Sequence, residues 1–270
     1  ENGWLWGNRG VCQYELRDWR GSIEALDRAE QLGEQGTYIH FHRSRAKAEL
    51  GDDPGALKDL DALISAVPWA SSNLILRGRI QLRMGRSEDA ARDFTRALAA
   101  DASSFEALVL RARAWIELRR FKDAIGDCDG ALLLKGRYPP ALVARAVARR
   151  SLGDIDAALE DLEQAIQADP QDGTAYLQRA ITRQLRGDYP GSIADCSAAR
   201  ELDPFLIDVL AVRGYSRIRL GDAKGALADC EEALALALRN REAHLNNLAV
   251  CRIELGEIDE AIRCEPERAA

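Results

Sequence analysis

The chain repeats itself. Arg9-Gly10, Arg43-Ser44, Arg77-Gly78, Arg111-Ala112, Arg145-Ala146, Arg179-Ala180 and Arg213-Gly214 follow one another at intervals of 34 residues without a slip. Leu248-Ala249 takes the same place one residue late, which puts a single insertion near Leu238 to Arg241. A period of this length builds a solenoid, in which each unit packs on its neighbours and no single core is shared. The 270 residues therefore divide into repeats of about 3–36, 37–70, 71–104, 105–138, 139–172, 173–206 and 207–241, with an incomplete eighth at 242–270.

Each repeat carries the pattern of two helices. In the third, Ser72 to Met84 reads as a first helix, Gly85 as its end and Glu88 to Ala100 as a second. Gly51, Gly85, Gly153, Gly187, Gly221 and Gly256 recur where a left-handed residue closes a helix. Asp52, Asp154, Asp188 and Asp222 follow as N-caps. Arg17 and Arg119 occupy the glycine place in the first and fourth repeats, so weaker or differently shaped turns are expected there. Small residues fill one column of each helix, as at Gly78 and Ala112 on the first and Ala90 and Ala124 on the second. Bulk returns between them at Leu26, Leu60, Phe94 and Leu162, making an apolar stripe that only stacking can hide. Prolines are few and no alternating β-branched run is present, so an all-α fold is predicted.

Together the 34-residue unit, the small residue of the first helix, Gly187-Asp188-Tyr189, the alanine columns and the closing pairs Asp169-Pro170 and Asp203-Pro204 resemble the tetratricopeptide repeat family. The resemblance covers nearly the whole chain and implies a right-handed α-solenoid of about eight helix-turn-helix repeats. One departure is visible. The family's usual tyrosine two-thirds along the first helix is replaced by Gln13, Lys47, Gln81, Trp115, Arg149, Arg183, Arg217 and Arg252.

Sixteen residues after the arginine column comes a column of acids, Asp59, Asp93, Asp127, Asp161, Asp195 and Asp229. A charge present in every repeat serves something every repeat needs, so the two columns read as a structural ladder of paired guanidinium and carboxylate groups.

Composition excludes several functions. A net charge of −7 disfavours nucleic acid and anionic membrane surfaces as partners. No apolar stretch approaches the ~18 residues of a membrane span, and no secretory signal opens the chain. Cys128, Cys196 and Cys230 share one core column, and equivalent residues in successive repeats stand roughly 8–10 Å apart, beyond disulfide reach. Reduced thiols and a cytoplasmic location are expected. Met84 is the one methionine and the chain opens at Glu1 inside a helix, so an excised or processed segment is expected. Arginine greatly outnumbers lysine, an association with GC-rich bacterial genes.

No catalytic constellation is found. His40 and His42 are two apart on a helix and face different ways, while HExxH, paired CxxC, GxxxxGK[ST] and GxGxxG patterns are absent. The chain is therefore expected to be no enzyme, with no metal and no cofactor.

Binding residues follow from the resemblance, since the family's first helices line a concave groove. Carried onto this sequence, Phe41, Ile75, Val109, Val143, Leu177 and Ala211 form an apolar track along it, joined one turn on by Arg45, Arg79, Arg113 and Tyr215. Tyr14 and Tyr38 thicken the N-terminal end with aromatics, beside Trp4 and Phe41, while Trp6 and Trp19 read as core. The expected partner is a protein or peptide with apolar anchors and acids. Chaperone-tail recognition is disfavoured, because the lysines and asparagines of the family's carboxylate clamps are missing from these turns. The alternative is a regulatory or substrate-recruiting arm of a larger bacterial enzyme, a kinase or peptidase, with its catalytic domain outside residues 1–270. Self-association through the solenoid ends is a third possibility.

Overall fold

The computed structural model describes residues 2–236 and 241–257, without the side chains of 241–244 and 247. The fold is all-α: among the described residues there are helices and turns and no strand. The predicted insertion near Leu238 and the positions Ala261 and Pro266 lie outside the described residues.

The chain forms two compact halves, Glu1–Leu134 and Lys135–Ala270. The first holds α1 (Gly3–Glu15), α2 (Trp19–Gln31), α3 (Thr37–Glu49), α4 (Asp53–Ala66), α5 (Ser71–Arg83), α6 (Ser87–Ala100), α7 (Phe105–Glu117) and all but the last residue of α8 (Phe121–Lys135). The second holds α9 (Pro139–Ser151), α10 (Ile155–Ala168), α11 (Gly173–Arg186), α12 (Tyr189–Leu202), α13 (Asp208–Arg219), α14 (Ala223–Leu236) and α15 (Arg241–Glu254). Odd-numbered helices are the first of each repeat and even-numbered helices the second. In each half, helices pack on their sequence neighbours and, more sparsely, on the helix two places on, which makes the fold an α-solenoid of helix-turn-helix units.

Local chemistry sets the turns. Asp18, Asp52, Asp188 and Asp222 accept hydrogen bonds from the backbone N–H of Gly21, Gly55, Gly191 and Gly225, at 2.9–3.0 Å. A Cβ at any of those four glycines would run into the capping carboxylate. Asp154 stands at the same place but its side chain caps nothing, because Ala157 fills the position that glycine holds elsewhere.

The turns at Arg17 and Arg119 correct an expectation of altered shape. Both residues adopt the left-handed conformation, at φ 60° and 59°, beside 77° at Gly51 and 73° at Gly85. The bond that closes the turn is also kept, from Asp18 N–H to Gln13 O at 2.9 Å and from Arg120 N–H to Trp115 O at 2.7 Å. Each arginine therefore takes the glycine geometry and carries its strain.

Between the helices the small columns admit bulk. Leu26, Leu60, Phe94 and Leu162 are fully buried, and the Phe94 ring lies so close to Gly78 that a Cβ there would stand 2.6 Å from it. No described helix is long and apolar enough to cross a membrane.

Candidate functional site

Most arginines of the first helices are consumed by the scaffold. Arg43, Arg77, Arg111, Arg145, Arg179 and Arg213 each grip the acid sixteen residues on, as when Arg77 donates from Nε and Nη2 to the two oxygens of Asp93 at 2.7 and 2.6 Å. The acids are deeply buried, Asp161 to 1% exposure, so the bidentate geometry replaces lost water.

Two further bonds make this ladder more than a row of pairs. One turn beyond the ladder arginine, Lys47, Arg149, Arg183 and Arg217 donate to the same carboxylates at 2.8–2.9 Å, and Trp115 Nε1 donates to Asp127 at 3.1 Å. These are the residues that replace the tyrosine column. In addition, Nη1 of Arg43 reaches back to Asp27 and Glu30, that of Arg77 to Asp61, and that of Arg111 to Thr95, all on the preceding repeat. A ladder arginine thus binds the second helices of two successive repeats. Arg9 has Ala25 where the acid would stand, and its guanidinium lies 5.0 Å from the centre of the Trp6 ring.

Arginines two residues further along escape this scaffold. Arg79 and Arg113 are exposed, and among the described residues neither forms an ion pair, not even with Glu117 four residues beyond Arg113. Arg45 stacks 3.6 Å from the centre of the Phe41 ring and donates to Phe41 O at 3.3 Å. Burial disfavours its charge, opposed by nearby Tyr14, and its pKa falls below the usual arginine value.

These side chains line two adjoining cavities along α3, α5 and α7, of about 300 and 610 Å³. Tyr14, Arg45 and Ile75 line the smaller, Leu110, Arg83, Arg113 and Glu117 the larger, and Leu76, Arg79, Ala48 and Glu49 border both. Of the residues expected in a groove, the N-terminal half therefore brings together Tyr14, Arg45, Ile75, Arg79 and Arg113. Tyr14 stands 5.2 Å from Trp19 and 5.0 Å from His42, and Phe41 stands 5.0 Å from His42, ring centre to ring centre.

Other expected residues lie elsewhere. Tyr38 packs half-buried on Leu26, Ala29 and Ile39, beneath Gly7. Val109 is 4% exposed, and Phe41 is half-buried against the helical core. In the C-terminal half, Val143 is half-buried against Ala146, Ala158 and Leu162, Leu177 is 6% exposed, and Ala211 is half-buried. Tyr215 is half exposed, with its ring 6.5 Å from that of Tyr189. That half ties its first helices with polar bridges: Arg150 donates to Gln178 Oε1 at 3.0 Å and Thr182 Oγ1 at 3.2 Å, and Gln184 to Val212 O at 2.6 Å.

The apolar lining of these cavities includes Leu76 and Leu110, one residue beyond the predicted column. Their signal was available, since each stands three residues before an unpaired arginine and seven before Arg83 or Glu117, one continuous helix face. No group of three or more His, Cys, Asp or Glu side chains among the described residues could hold a metal ion.

Comparison with known proteins agrees with this architecture. The family model described as Tetratricopeptide repeat matches residues 75–141 and 143–207. A tetratricopeptide repeat protein from Parabacteroides merdae ATCC 43184 superposes with a TM-score of 0.81 at 18% identity, over 92% of this chain and 98% of that one. PilW, described as a widely conserved type IV pilus biogenesis factor, gives 0.67 at 18% identity over 75% and 94%. A thermophilic TPR protein of Thermus thermophilus gives 0.59 at 21% identity over 72% and 100%. No curated protein matches the sequence. The family match falls on the third to sixth repeats, and the other repeats are built from the same columns.

Proposed function

We propose that this chain is a non-catalytic interaction scaffold that holds an extended acidic segment of a protein partner along α3, α5 and α7. One observation carries the reading. Every ladder arginine from Arg43 onward is tied to carboxylates, whereas Arg79 and Arg113, on neighbouring repeats, form no ion pair and line one cavity with the half-buried Leu76 and Leu110. Such a surface offers apolar contact with charge selection, and its helices are ordered before the partner arrives. The buried thiols fit a cytoplasmic setting.

The test is capture of Asp/Glu-containing peptides with leucine anchors from a synthetic library by the intact chain, beside the double reversal Arg79→Glu, Arg113→Glu. Binding weakened at least about tenfold by the reversal, and weakened by salt in the unmodified chain, supports the reading. Peptides that bind both forms equally would place recognition on another face.

A further inference from the structure

One contact between repeats recurs. Leu60 meets Ile80, and Phe94 meets Ala114, each pair joining a second helix to the next first helix at a separation of twenty residues. At the equivalent place in the seventh and eighth repeats both partners are cysteines. Cys230 on α14 and Cys251 on α15 bring their sulfurs to 3.2 Å, with 4% and 0% exposure, inside a cluster with Ala226 and Leu248. The separation is twenty-one here because of the one-residue insertion. Same-column cysteines are one repeat apart, but these two come from different columns that packing forces together.

We propose that Cys230 and Cys251 are a thiol–disulfide site, which on oxidation by a low-molecular-weight disulfide locks α15 onto α14. The sulfurs need to close by only about 1 Å to reach bonding distance. Cys251 gives up its proton and its thiolate attacks one sulfur of the small disulfide, releasing one thiolate. Cys230 then loses its proton and attacks Cys251 in the mixed disulfide, forming the protein S–S bond and releasing the second thiolate. Two protein thiols lose two electrons and the small disulfide gains them, so the step balances. The hydrogen bond from Cys230 holds the Cys251 thiol below its ordinary pKa and raises that of Cys230, which makes Cys251 the first nucleophile. Burial requires α15 to lift before the reagent enters.

Cys196 is the internal control. It lies in the same column as Cys230, and burial pushes its thiol up to about 12. The intact chain is incubated with oxidised glutathione or with dithiothreitol, alkylated, and mapped by peptide mass. The expected product is an intrachain Cys230–Cys251 link with Cys196 still alkylatable, and hydrogen exchange in α15 slowed about a hundredfold until dithiothreitol is added. Cys230→Ser should leave a stable glutathione adduct on Cys251 while Cys196 stays unmodified, which reports an intact fold. Unchanged thiols, interchain dimers, or adducts on the unmodified chain without the internal link would each overturn the proposal, as would modification of Cys196 at the same rate.

Discussion

Arg179 on α11 donates from Nε and Nη2 to the two oxygens of Asp195 on α12, at 2.9 and 2.6 Å, and Arg183 adds a third bond at 2.8 Å. The carboxylate is almost fully buried, so it relies on these donors for what water would supply. Asp195→Ala should strand two half-buried guanidinium groups and cost about 3–5 kcal/mol in urea denaturation followed by circular dichroism. Adding Arg179→Met should recover part of that loss. A strictly additive double mutant would mean that the pair is not coupled.

The same arrangement at Asp59 has a pH signature. Burial works against its charge, but hydrogen bonds from Arg43, His40 and Lys47 outweigh burial and hold the carboxyl below its ordinary 3.8. A depressed folded pKa means that the unfolded chain binds the proton first, so the stabilisation is complete above the unfolded value and is lost as pH falls through the folded one. Glu30, held down mainly by its hydrogen bond from Arg43, acts in the same direction. Urea midpoints should therefore separate the unmodified chain from Asp59→Asn most widely near neutral pH. The gap should shrink below about pH 4.

Arg119 at φ 59° pays a steric cost that glycine avoids. Its side chain is exposed, so little packing is lost on truncation. Arg119→Gly should raise stability by about 1 kcal/mol, even though glycine enlarges the entropy of the unfolded chain. A thermal melt compares the two directly. A fall in midpoint would show that the arginine side chain contributes more than its backbone strain removes.

What could be read in advance followed from repetition. Predicted helices at Ser72–Met84 and Glu88–Ala100 compare with Ser71–Arg83 and Ser87–Ala100, because Gly85 closes the first helix at the place glycine holds in most repeats. The ladder was legible for the same reason: two charges at one spacing in six repeats. Its second donors were not, since Lys47, Trp115 and Arg149 share a destination and not a chemistry. Leu76 stood outside the predicted column although it lines the cavities beside Ile75, because apolar side chains occupy both positions, some 100° apart around the helix, and the pattern alone does not say which one the neighbouring repeat covers. Cys251 was hidden by the insertion, which moves it out of register with Ser216 and Thr182.

Two glycines of one column should answer the same substitution with opposite signs. At Gly78 an added Cβ would stand 2.6 Å from the rigid, fully buried Phe94 ring, so Gly78→Ala must push the ring or the helices apart, costing about 1–3 kcal/mol. At Gly214 the nearest atoms are 3.6–3.7 Å away, among them Cys230 Sγ, which is ordinary contact. Gly214→Ala should therefore gain helix propensity without strain and stabilise by about 0.5–1 kcal/mol. The difference arises because the second helix offers Phe94 in one repeat and the smaller Cys230 in the other, so the small column is needed only where its partner is large. Thermal midpoints of the two variants decide it: a loss at Gly214 as large as that at Gly78 would show that the column keeps glycine for the backbone approach of the helices and not for the partner side chain.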